Sequence, residues 1–175
     1  YKTLKEQLTV IYDVFNVKGP KYVFLHIVSP HPPYMCDENG NFKSSPRVSN
    51  VWWEPKKDYL IQLKFINKET IKFINEIFKQ SKKEPVIIVQ SDHGPFIQSK
   101  NFKEIYDARS MILNSYYIPY SGKEKLYPTI TPVNSFRLVF NGIFKDSLPL
   151  LKDIPLDSNI MKKNMNSNLL LNNDI

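Results

Sequence analysis

Cysteine is almost missing: Cys36 is the only one in 175 residues, so no disulfide can close within the chain and thiol usage does not fix a redox compartment. Long apolar runs are missing too. The longest clean ones, such as "YVFLHIV" at 22–28, fall far short of the roughly 20 residues a membrane-spanning helix needs, and this piece is read as not crossing a bilayer. There is no block of like charge. The formal charge of +7 and the pI near 9.3 come from lysines scattered along the chain. That pattern argues against a dedicated nucleic-acid arm and suits a solvated lysine-rich surface, anionic substrates or an acidic membrane surface. The chain starts at Tyr1 with no charged-then-apolar leader behind it, so it reads as a fragment without a signal peptide or natural start.

What is present suits one globular domain with a core: 42% hydrophobic residues, with 11 Phe and 10 Tyr. Residues 2–15 suggest a short helix stopped by Gly19 and Pro20. "KYVFLHIVS" at 21–29, rich in β-branched and aromatic residues, reads as a strand buried on both faces. Residues 35–55 read as a polar loop with an Asn39-Gly40 turn. From Asp58 to about Ser81, Leu60, Leu63, Ile66, Thr70, Phe73 and Ile77 follow helical spacing. "PVIIVQS" then gives a strand after a short gap, and another is expected within 110–119. Thr131 offers a capping hydroxyl and Pro132 a first helical position for a helix ending near Asn141-Gly142. Strand, loop, helix, strand is the order of a right-handed crossover, so residues 21–29 and 86–91 are expected as near-neighbouring parallel strands. Residues 1–155 would form the folded part and the Asn- and Ser-rich 156–175 a frayed tail.

The stretch that carries chemistry is "PVIIVQSDHGP" at 85–95. Successive strand side chains point to opposite faces, so Asp92 and His93 can share one ligand only where the strand ends and the chain turns, which Gly94 permits. Ligand sites in open α/β sheets lie beyond the carboxyl ends of strands. A carboxylate and a neutral imidazole are sound ligands for a divalent cation. The plain alternative is that Asp92 caps the next segment while His93 packs. In "HIVSPHPPY", His31 follows the first apolar run and two prolines stiffen its loop. Such a histidine can hydrogen-bond an anionic ester or protonate a leaving oxygen, or be an ordinary loop residue. His26, inside the run, reads as a core histidine. Lys100 and Arg109 are candidates for neutralising an anion, with solvated surface charge as the plainer reading; Arg137 suggests a structural ion pair.

"FLHIVSPHPPY", the helix beginning "YLIQLKFIN", "PVIIVQSDHGP" and "LYPTITPVNSFRLVFN" together resemble the C-terminal half of sulfatase-like hydrolases and transferases of the alkaline phosphatase superfamily. The similarity covers roughly residues 20–150, and the branch includes lipoteichoic acid synthases and phosphoethanolamine transferases. The resemblance implies a partial α/β domain of the alkaline phosphatase-like type, a mostly parallel sheet with flanking helices. It implies Asp92 and His93 as ligands of a divalent ion (Zn, Mn, Mg or Ca) and His31 as a contact to the substrate's phosphate or sulfate. It also implies a metal-dependent parent enzyme, membrane-anchored with an extracytoplasmic catalytic domain, acting on anionic esters of cell-envelope glycans or phospholipids, with no nucleic-acid partner.

One departure matters. The family's nucleophile and first metal acid belong to an N-terminal half that is not recognisable here, and Cys36 is followed by "DENG", unlike the C-x-P-x-R sequence of sulfatase maturation sites. The 175 residues are therefore expected to be inactive alone. A reading of a different class is a non-catalytic module binding a glycan or partner through Trp52 and Trp53 of "VWWEP".

Overall fold

The computed structural model describes residues 2–47 and 55–154, arranged as two compact units, one ending at Lys83 and the other beginning at Glu84. Trp52, Trp53 and the tail 156–175 lie outside the described residues.

In the first unit, α1 (Lys2–Val10) runs into a 3-10 helical segment at Ile11–Asn16. The rings of Tyr12 and Phe15 meet Phe73 at 5.5 and 5.8 Å. That ring belongs to α2 (Lys56–Gln80), the long amphipathic helix expected from its periodicity, which buries Gln62, Phe65 and Ile66. Against α2 lies a hairpin where the sequence suggested only a loop: β1 (Tyr34–Cys36) pairs antiparallel with β2 (Phe42–Arg47). Its turn is built by Asp37, whose Oδ1 accepts from the backbone N–H of Asn39 and Asn41, both at 2.9 Å. Gly40 closes the turn at φ +83°, a left-handed conformation that glycine adopts without steric cost.

Residues 21–28 form no regular secondary structure and join no ladder among the described residues. Tyr22 and Phe24 are 76% and 77% exposed, and His26 is exposed as well, not a core histidine. The strand buried on both faces that the apolar composition suggested is not formed there, because a strand exists and is covered only when some other segment pairs with it and packs on it.

In the second unit, β3 (Ile87–Gln90) pairs antiparallel with β4 (Asn114–Tyr117), from Ile87↔Tyr117 to Gln90↔Asn114. The short helix α3 (Phe102–Ser110) connects them. Among the described residues each unit has one two-stranded antiparallel sheet, and the mostly parallel sheet expected from the sequence is seen within neither. Crossover order constrains handedness, but pairing is decided by non-local contacts that order alone does not specify.

The helix α4 (Pro132–Ile143) has proline in its first turn as expected. Thr131, however, makes no capping bond with its hydroxyl; Oγ1 donates instead to Asp153 Oδ1 at 2.5 Å. The helix ends at Ile143, close to the Asn141-Gly142 end expected from the sequence. Gly142 is buried, and Asn141 grips the following segment, accepting from Leu148 N and donating to Leu148 O, both at 2.8 Å. Two turns earlier, Asn134 makes the same amide-to-backbone pair with Leu151. Segment 148–153 is thus fastened along α4. Ser135 links the helix to the sheet, through Tyr116 Oη at 2.7 Å and Gln90 Nε2 at 3.2 Å. No helix among the described residues is long and apolar enough to cross a membrane.

Candidate functional site

The β3 ladder ends by a change of partner. Ser91 N donates to Leu113 O at 2.9 Å, but the return bond from Leu113 N goes to Ser91 Oγ, also at 2.9 Å. A side chain has replaced the main chain, and the backbone leaves the sheet one residue before Asp92. Released from strand alternation, Asp92 and His93 come together: Asp92 Oδ1 accepts from His93 N at 2.9 Å and Oδ2 lies 3.3 Å from His93 Nε2. The carboxylate side chain is 83% exposed and the ring 35%.

His93 Nδ1 donates to the Gly94 carbonyl at 2.9 Å. A carbonyl only accepts, so a neutral ring carries its proton on Nδ1 and turns the Nε2 lone pair towards Asp92. Nε2 lies 3.3 Å from Asp92 Oδ2, a separation met by an imidazolium–carboxylate ion pair when the ring is protonated and by a shared cation when it is neutral. The spacing also suits one: bonds of about 2.0–2.1 Å at a tetrahedral angle put neighbouring ligand atoms about 3.3–3.4 Å apart. The pair therefore fits a divalent ion as two of its ligands. Among the described residues no cluster of three or more His, Cys, Asp or Glu could hold a metal.

Gly94 is buried and held from both sides. Its N–H donates to Arg109 O at 2.8 Å, and its carbonyl accepts from Arg109 Nη1 at 2.9 Å as well as from His93. Its φ lies outside the left-handed region, so it is not glycine for the sake of a turn, as the sequence suggested. The reason is space: an added Cβ would stand 1.9 Å from Ala108 O and 2.8 Å from Met111 O. Arg109 is correspondingly not a solvated charge. It is half-buried, with its guanidinium 4.2 Å from the centre of the Phe96 ring. Lys100 is exposed.

His31 stands on a loop of the first unit. Its N–H donates to Val28 O at 3.0 Å and its Nδ1 to Pro32 O at 2.8 Å, while the ring is exposed. Nδ1 is thus engaged by the backbone here too. The peptides Ser29–Pro30 and Pro32–Pro33 are cis. The loop is organised by Gln62, fully buried on α2. Its Nε2 faces the carbonyls of Pro30, His31 and Pro33 at 3.2–3.4 Å, and its Oε1 accepts from Met35 N at 2.6 Å. Sequence reasoning passed over Gln62. The available signal was a polar residue on the same helical face as Phe65, Ile66 and Phe73, where an apolar one would otherwise sit. Cys36, also buried, has its thiol pushed up to about 11, mainly by burial and further by Asp37, against the lowering effect of Lys43. A thiol so protonated is a poor nucleophile, in keeping with a structural role.

No curated protein and no solved structure matches the chain. The model of the Sulfatase family does, over residues 2–129, a span that takes in the His31 loop, Gln62 and the Asp92-His93-Gly94 exit from β3 and amounts to well over half of the 175 residues. The chain belongs to the Sulfatase family.

Proposed function

We propose that this chain is the C-terminal part of a metal-dependent catalytic domain that cleaves or transfers sulfate or phosphate ester groups. Sulfatase-family membership gives the coarse activity, a sulfatase-like hydrolase or transferase acting on such esters, with the α/β fold of the alkaline phosphatase superfamily and a family habit of using divalent metal ions. The observation that carries the finer reading is the 3.3 Å approach of Asp92 Oδ2 to His93 Nε2 at the exit of β3. Asp92 and His93 would hold the ion, which supplies positive charge to offset the negative charge of the transferring group. His31 keeps Nδ1–H on Pro32 O, and its protonated ring offers Nε2–H to an anionic ester oxygen or a leaving oxygen. Gln62 fixes the backbone on which that ring stands. The apolar run 21–28 becomes a strand of a mostly parallel sheet when the complete catalytic domain assembles.

The nucleophile is not recognisable in these residues, so the 175-residue chain turns over generic esters feebly or not at all. The parent is a membrane-anchored protein with an extracytoplasmic catalytic domain, of the lipoteichoic acid synthase or phosphoethanolamine transferase branch, and its substrates are esters of cell-envelope glycans or lipids. Chromogenic sulfate and phosphate esters, assayed with a polypeptide extended to include a nucleophile, test the reading. Metal-dependent turnover that Asp92→Ala abolishes without altering the fold supports it. Full activity in that variant, or turnover of roughly 1 per second or faster by the 175 residues alone, contradicts it.

A further inference from the structure

We infer that Arg109 is a positioning residue for His93, acting through the Gly94 carbonyl to present Nε2 to a cation. The inference rests on the metal reading of Asp92 and His93 and adds a residue to it. One carbonyl oxygen receives two donors, His93 Nδ1 and Arg109 Nη1, each at 2.9 Å. The arginine bond is the charge-assisted one and the stronger of the two. Arg109 is itself fixed three ways. Its backbone carbonyl takes the Gly94 N–H at 2.8 Å, its guanidinium lies on Phe96, and its main chain forms the last turn of α3. Its carbonyl therefore holds the His93–Gly94 peptide unit by its N–H, and its side chain holds the Gly94–Pro95 peptide unit by its carbonyl. The orientation of that peptide unit decides whether the His93 proton resides on Nδ1, and hence which ring nitrogen keeps its lone pair. Metal-binding histidines depend on a carbonyl or carboxylate at the other ring nitrogen in this way, and losing such outer support costs about 10–100-fold in metal affinity. Nothing in the geometry requires Arg109 to touch the substrate.

The test uses imidazole nitrogen NMR on the chain at pH 8, with Mn²⁺ and Zn²⁺ titrations, for wild type, Arg109→Met and Arg109→Lys. Wild type should show His93 as the Nδ1–H form. Arg109→Met should move His93 towards the Nε2–H form and weaken metal binding about 10–100-fold, with His31 unchanged. Arg109→Lys, which keeps one donor without the fork, should fall between them, and it carries the test if Arg109→Met fails to fold. An unchanged His93 tautomer in a folded variant overturns the inference, because a merely structural arginine would lower stability without touching that signal. If wild type binds neither ion, the metal reading fails instead, and the tautomer comparison still decides the role of Arg109.

Discussion

Replacing Gly94 by alanine is the sharpest perturbation of the β3 exit, because the added methyl meets backbone and not a side chain that could move aside. The new Cβ would lie 1.9 Å from Ala108 O and 2.8 Å from Met111 O. Ordinary carbon–oxygen contact begins near 3.4 Å, so the loop and the last turn of α3 must part by roughly 1.5 Å. A separation of that size breaks the Gly94–Arg109 backbone bond and the Arg109 side-chain bond. A neutral bond contributes about 0.5–1.5 kcal/mol and one to a charged group about 1.5–3 kcal/mol. Partial relaxation makes about 2–4 kcal/mol a reasonable net cost, in the upper range of overpacking penalties. At roughly 2–4 °C per kcal/mol for a chain of this size, melting should fall by about 5–15 °C. Calorimetry or circular dichroism measures this, and Gly94→Ser should behave alike. A Gly94→Ala protein melting within about 1 °C of wild type would refute the steric account of this glycine.

Three further outcomes follow from the same geometry. Gln62→Ala leaves the part-buried Met35 N–H without its acceptor and three loop carbonyls without their donor; denaturant unfolding should show a loss of about 2–4 kcal/mol, and a loss below about 0.5 kcal/mol would contradict the role given to it. Cys36 should resist thiol reagents at pH 8 in the folded chain and react fully once unfolded, since burial holds its thiol at about 11; rapid labelling of the native protein would count against it. The Asp153 carboxylate is lowered from 3.8 to about 2, first by the Thr131 hydroxyl and then by Tyr127. A lowered folded value means that its stabilisation is present above about pH 4 and is lost as pH falls towards 2. Asp153→Asn should therefore flatten acid destabilisation in that window, and an unchanged acid profile would contradict the assignment.

Local pattern made α1, α2 and α4 legible, α3 was passed over, and non-local pairing hid the rest. The apolar spacing of 58–81 and the proline at 132 announce α2 and α4, because helical periodicity and N-terminal chemistry are written in neighbouring residues. The run PVIIVQ likewise announces β3 and the exit that follows it. Pairing direction was not legible, since β3 finds β4 across α3, and residues 21–28 carry a strand's composition without a described partner. Asp92 and His93 could be picked out because a carboxylate and an imidazole stand side by side at a strand end. Gly94 was noticed for its conformational freedom, whereas its reason is the approach of α3, which no local sequence signal contains. Gln62 escaped, and Arg109 was noticed only as a charge for an anion, because each acts on a backbone carbonyl distant in sequence, and a lone glutamine or arginine on a helix ordinarily reads as surface.

The account stands on Asp92 and His93 forming part of a cation site, and paramagnetic broadening measures that directly. Mn²⁺ titrated into the isotope-labelled 175-residue chain should broaden the signals of Asp92, His93 and Gly94 first and most steeply. The affinity should be weak, because only two protein ligands are present. Asp92→Ala should remove that focus while leaving the rest of the spectrum in place. Broadening spread evenly over exposed carboxylates, or a focus at His93 that survives Asp92→Ala, would contradict the assignment.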